Sequence, residues 1–124
     1  MKDEGGKKIR DLRSRTKDFA LRIIRLYQAL PKDEDVAHVL GRQLLRSGTS
    51  VAAHYREACR AKLSADFIPK LEGALQELDE TVRWLELFGD AGTIKSTRVQ
   101  PLRFEADELI AIFVTMTRKI KGRR

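Results

Sequence analysis

Cysteine, histidine, aromatic residues and long apolar runs are all scarce in this sequence, and each scarcity removes a class of protein. Cys59 is the one cysteine, so neither an intramolecular disulfide nor a CxxC metal knuckle can form. It reads as a plain reduced thiol, because a catalytic role would need a paired histidine that the pattern does not offer. Aromatic residues make up 6% of the chain, few for a β-sandwich. The longest uninterrupted apolar run is the six residues from Leu109 to Val114, against about 20 for a bilayer span. The start Met1-Lys2-Asp3-Glu4-Gly5-Gly6 lacks the apolar stretch of a signal peptide. A cytoplasmic protein without membrane association is therefore expected. The histidines are His38 and His54. A di-metal carboxylate bundle needs Glu-x-x-His on each of two helices, and no Glu precedes either histidine by three. There is also no nucleophile with a base beside it, no Gly-x-x-x-x-Gly-Lys and no Gly-x-Gly-x-x-Gly loop. No catalytic residue, metal or cofactor is expected, and an enzyme is not the expectation.

What the chain does have is charge. Its 124 residues are 35% charged and 42% hydrophobic, enough for one domain with an ordinary core and too few for two. Lys and Arg number 25 against 18 Asp and Glu, a net charge of +7, and such a balance points toward polyanionic partners. The excess sits toward both termini, whereas residues 61–90 hold three basic and seven acidic side chains.

Helical periodicity recurs four times. From an N-cap at Ser14 or Thr16, the residues Phe19, Ile23, Leu26 and Leu30 share one face up to Pro31. After the acid-rich turn 31–35, Val36, Leu40, Leu44, Val51, Tyr55 and Ala58 line one side of a second helix, with Gly48 a close-packing point within it. A third helix runs from Ser64 or Asp66 to about Phe88 on the stripe Phe67, Leu71, Leu75, Leu78, Val82 and Leu85, with Gly89 as its stop. Residues 89–98 read as a loop, and Pro101 opens a fourth helix with Leu102, Ala106, Leu109, Phe113, Met116 and Ile120 aligned. The fold expected is an all-α, up-down-up-down antiparallel four-helix bundle over residues 13–121. A flexible basic arm, 1–12, and a basic tail, 122–124, flank it.

The second helix concentrates the informative charge. At about 100° per residue, Arg42, Arg46, Arg56 and Arg60 fall on one narrow stripe opposite the apolar side, with His38 and Thr49 inside it and Glu57 at its border. A merely solvated face would mix signs or favour Lys; four Arg present fork-shaped donors suited to phosphate. The stripe is about 27 Å long at a rise of 1.5 Å per residue, enough to follow several phosphates. The third helix supplies the opposite sign through Glu72, Asp79 and Glu86, with Arg83 among them. Trp84 and Phe88 fall off its core stripe, on the flank of Glu77 and Thr81, and are candidate subunit contacts together with Glu57 and Glu77. A surface bond between His54 and Glu57, three residues apart, is also within reach.

Several segments carry a family resemblance. They are Arg15-Thr16-Lys17-Asp18-Phe19-Ala20-Leu21-Arg22-Ile23-Ile24-Arg25-Leu26-Tyr27-Gln28-Ala29-Leu30-Pro31, then Arg42-Gln43-Leu44-Leu45-Arg46-Ser47-Gly48-Thr49-Ser50-Val51, Tyr55-Arg56-Glu57-Ala58, Phe67-Ile68-x-Lys70-Leu71 and Trp84-Leu85-Glu86-Leu87. Together they resemble the bacterial four-helix-bundle proteins of the 23S rRNA-intervening sequence family, over roughly residues 12–120. His54, where that family commonly has Asn, and Pro69 depart from the pattern. The resemblance implies a homo-oligomer, a pentameric ring, similar to the accessory proteins of diversity-generating retroelements. Those relatives bind nucleic acid through basic surface and a reverse transcriptase through protein contacts, and the matching positions here are Arg42, Arg46, Arg56 and Glu57. Two functions follow as expectations: a non-enzymatic oligomer that binds rRNA or another nucleic acid through its arginines, or an assembly adaptor for a protein partner with no nucleic-acid role.

Overall fold

The computed structural model describes residues 4–61 and 65–122, and side chains from Leu12 onward. Four helices follow one another: α1 (Glu4–Gln28), α2 (Asp35–Arg60), α3 (Phe67–Asp90) and α4 (Ser96–Lys121). Each packs on the next, α4 returns to α1 through a narrower contact, and the diagonal pairs meet only through side chains. This is the antiparallel bundle that the periodicity implies.

The apolar repeat of α1 is buried as its spacing demands, with Leu12, Phe19, Ile23, Leu26 and Leu30 all in the core. The helix starts earlier than expected, at Glu4, so the stretch expected as an arm is helical from there; residues 1–3 lie outside those described. Ser14 and Thr16 are consequently inside the helix and cap nothing. Thr16 is buried, and its hydroxyl donates to the Leu12 carbonyl one turn back at 2.7 Å, an alternative to capping open to any buried helical Thr.

Small residues set the spacing between α1 and α2. A Cβ on Gly41 would stand 2.7 Å from Leu30 Cδ1, and one on Gly48 would stand 2.8 Å from Ile23 Cγ1. Both glycines are buried in the seam, so Gly48 is the close-packing point that its position suggested. The buried side of α2 is turned slightly from the apolar stripe: Ala37 lies inside while Val36 is 59% exposed and Leu40 only half-buried.

The phase of α3 differs in the same way, and this corrects the expected stripe. Ile68, Leu71, Ala74, Leu78, Thr81, Leu85 and Phe88 are buried, while Phe67, Leu75 and Val82 flank them half-buried. A helix packed on two neighbours buries a broad arc, and Ala74 and Thr81 provide the low relief on which α2 lies close. Phe88 is 0% exposed; it is a core residue rather than an off-core contact, and a side chain without surface has none to offer a second subunit. The stop of α3 also moves, from Gly89 to Gly92. Gly92 takes φ +72, and the Thr93 and Gly92 amides donate to the Phe88 and Gly89 carbonyls at 3.2 Å each, the paired bonds of a Schellman motif whose left-handed position suits glycine.

Helix α4 opens at Ser96, five residues before Pro101, which sits inside the helix. The missing N–H falls on the exposed first turns, where water can serve the freed carbonyl. Val99 and Thr117 join Leu102, Ala106, Leu109 and Phe113 in the core, whereas Met116 and Ile120 are half-buried. In the middle of the bundle Tyr55 from α2 stacks on Phe113 from α4, with centroids 5.4 Å apart and planes at 11°. The narrower α1–α4 seam is fastened by charge: Arg15 grips Glu105 through two bonds of 2.8 and 3.0 Å and reaches Glu108 at 2.7 Å. The Glu105 hydrogen bonds, with lesser help from Glu108, push the Arg15 guanidinium above its already high ordinary pKa. Its charge is spent inside the chain.

Candidate nucleic-acid interface

The α2 stripe faces solvent. His38, Arg42, Arg46, Arg56 and Arg60 are all exposed along it, with Ala53 between them and Thr49 half-buried. Thr49 turns its hydroxyl onto the Leu45 carbonyl at 2.8 Å. Arg46 alone leans toward α3, where it meets Glu80 at 3.1 Å. At 57% exposure of the arginine such a pair contributes little and yields readily to a better anion. Arg42, Arg56 and Arg60 have no ion-pair partner among the described residues. Arg42 and Arg56 without a carboxylate, Arg60 under a weak attraction to Glu57, and the loosely held Arg46 thus share a single line on one helix.

The other proposed partners are mostly occupied within the chain. Glu57 meets Lys70 of α3 at 2.7 Å, and that bond holds its carboxyl below the usual carboxylate range, with His54 and Arg60 as weaker contributors. His54 does not bond Glu57; it turns to Glu77 of α3, with Nε2 3.6 Å from Oε2. Glu72 meets Lys121 at 2.8 Å and Glu86 meets Arg103 at 3.6 Å, so these acids look toward α4 rather than outward as one row. Sequence spacing along one helix could not see these cross-helix partners.

The α2–α3 flank carries a polar seam. Thr81 Oγ1 and Ser47 Oγ are buried 2.9 Å apart, and each also reaches a carbonyl of its own helix, Glu77 at 2.7 Å and Leu44 at 3.3 Å. On either side of that satisfied pair are three buried polar atoms without a partner: His54 Nδ1, Glu77 Oε1 and Trp84 Nε1. Each such atom costs about 1–3 kcal/mol when left unpaired. Trp84 itself is half-buried against the core edge, so Glu77 and Trp84 stand together on the flank where spacing put them.

Chemistry elsewhere is sparse. Among the described residues no group of His, Cys, Asp and Glu side chains could hold a metal ion, and no helix is long and apolar enough to cross a membrane. Cys59 is half-buried. Burial, then a hydrogen bond with Cys59, pushes the neighbouring Tyr55 phenol far above its ordinary pKa, which suits a core residue and not an acid–base group.

Comparison with known proteins agrees with this architecture. The profile of the 23S rRNA-intervening sequence protein family matches residues 10–115. A crystal structure of a protein of unknown function from the S23 ribosomal protein family, from Bacteroides thetaiotaomicron, superposes with a TM-score of 0.82 at 35% identity, covering 90% of this chain and 98% of that one. No curated protein matches.

Proposed function

The chain belongs to the 23S rRNA-intervening sequence protein family, and from that premise we propose that it is a non-enzymatic, cytoplasmic homo-oligomer that binds RNA through the arginines of α2. The observation that carries this reading is the line of Arg42, Arg56 and Arg60, exposed and without an ion pair among the described residues, with Arg46 beside it. The mechanism is electrostatic. Each guanidinium that contacts a phosphate releases condensed counterions, so binding is strong at low salt, weakly selective for sequence, and multiplied when several subunits present the same stripe. Exposed aromatic side chains on the described surface amount to little beyond Phe104, which favours phosphate contact over base stacking.

Self-association is supported by the half-buried Trp84 on the α2–α3 flank, whose remaining surface a second copy would cover; a pentameric ring is the arrangement we propose. The alternative of a pure protein adaptor gains less support, because two of the three acids it would lend to a neighbour's arginines, Glu72 and Glu86, already have partners in their own chain, while Asp79 has no ion pair among the described residues.

Two measurements test the proposal. In a titration of a labelled structured RNA at about 0.1 M salt, Arg42→Ala should weaken binding roughly tenfold, one phosphate contact's worth. An unchanged affinity would speak against it. Light scattering of the wild type should give a multiple of the 14.2 kDa chain mass, and a monomer would remove the oligomeric part.

A further inference from the structure

A groove of about 570 Å³ runs between α1 and α2. Its walls are Arg13 and Lys17, one turn apart on α1, and Arg56 on α2; Ser14, Ala52 and Ala53 line it between them. The groove exists because these three side chains are short, on helices whose separation is already set by Gly48 against Ile23. Among the described residues no carboxylate lines it. Arg13, Lys17 and Arg56 are exposed and have no ion-pair partner among the described residues, in contrast to Arg15, committed to Glu105 and Glu108 of α4. Three free cations on opposite walls of a shallow channel create a positive potential that the low-dielectric walls focus.

We propose that this groove seats the sugar–phosphate backbone of the bound nucleic acid, with Arg13 and Lys17 as contacts additional to the α2 stripe. The inference rests on the nucleic-acid reading above and gives it a path. Arg56 belongs to both features, and Arg60 follows it four residues along α2, about 6 Å on. A strand lying in the groove therefore passes directly onto the stripe. The groove is open to solvent, and the short side chains between the walls let phosphates approach within reach of donors from both helices.

The test uses the full chain and a labelled structured RNA, with Arg13→Ala/Lys17→Ala as the principal variant. Both side chains are exposed, so a wild-type melting temperature is expected. Affinity at about 0.1 M salt should fall between tenfold and a hundredfold, and the slope of log K against log salt should shrink by roughly 1.4–1.8, the share of two phosphates. Ala53→Met, which fills the groove without altering charge, should weaken binding at least severalfold. If Arg13→Ala/Lys17→Ala binds as wild type while Arg42→Ala does not, the groove is not the seat although the stripe is. If neither variant loses affinity, the nucleic-acid reading falls with it. A double variant that retains RNA affinity but loses mass in light scattering would show that a second copy of the chain fills the groove, which also overturns the proposal.

Discussion

Replacing Arg42, Arg46, Arg56 and Arg60 together by alanine is expected to weaken binding to a structured RNA by about three orders of magnitude at 0.1 M salt. On B-form duplexes each neutralised phosphate contributes about 0.9 to the salt slope, and on single strands about 0.7, so four contacts carry roughly 2.8–3.6 logarithmic units over the decade below 1 M. Arg46 supplies less than its share, because it must first leave Glu80. The four side chains are exposed, and the one ion pair lost is a surface pair worth about 1 kcal/mol at most. The variant should therefore remain folded, and a melting curve recorded beside the titration checks this. Replacement of the same four residues by lysine separates charge from shape: the salt slope should persist while affinity drops, because lysine cannot offer the two-pronged donor that arginine presents to phosphate. A loss of less than tenfold in the alanine variant would place the interface elsewhere.

The second large effect is on stability. Gly48→Val should lower the melting temperature by roughly 10 °C, corresponding to about 3 kcal/mol in a domain of this size. A Cβ at position 48 would lie 2.8 Å from Ile23 Cγ1, 2.9 Å from its Cγ2 and 3.2 Å from its Cβ. Ile23 is fully buried and branched at Cβ, so it cannot swing its near end away. The backbones of α1 and α2 must separate instead, which loosens the layer of Phe19, Leu44 and Val51. Removing a helical glycine returns only about 1 kcal/mol. The control is Gly89→Ala: the nearest atom to a Cβ there is Val99 Cγ1 at 3.9 Å, so the gain in helix propensity meets no clash and the protein should melt slightly higher. Thermal unfolding of both variants decides whether close approach at Gly48, or glycine content as such, governs the fold. Because the α1–α2 groove depends on the same spacing, Gly48→Val should also weaken RNA binding beyond what its lower stability explains.

Much of this molecule is legible in its sequence because helical periodicity is strong where side chains are large. Phe19, Ile23, Leu26 and Leu30 announce α1, and the four arginines opposite Leu44, Val51 and Tyr55 announce both α2 and its outward face. Legibility fails where burial is carried by small or polar residues. Ala74 and Thr81 are core positions of α3, yet neither registers as apolar pattern, so Phe67, Leu75 and Val82 stand in the expected stripe beside the truly buried Leu71, Leu78 and Leu85, and Phe88 is taken for surface. Thr16 shows the same ambiguity: before a hydrophobic run it looks like a cap, and only the packing of α1 reveals a buried hydroxyl bonded to Leu12. Helix starts are blurred as well, at Glu4 and Ser96, since propensity extends helices past their last large apolar residue. Partners across helices were out of reach altogether. Nothing in local spacing directs His54 to Glu77, Glu57 to Lys70, or Arg13 and Lys17 to the same channel as Arg56, because those meetings depend on how α1, α2 and α3 are placed side by side.

The salt dependence of wild-type binding tests the central claim most directly. If the stripe and the groove together hold a nucleic-acid backbone, log K for a structured RNA should fall linearly with log salt between 50 and 200 mM. Six cations, Arg13, Lys17, Arg42, Arg46, Arg56 and Arg60, should give a slope of roughly −4 to −5 for each engaged subunit. A slope near zero, or no binding at 50 mM, would contradict the account.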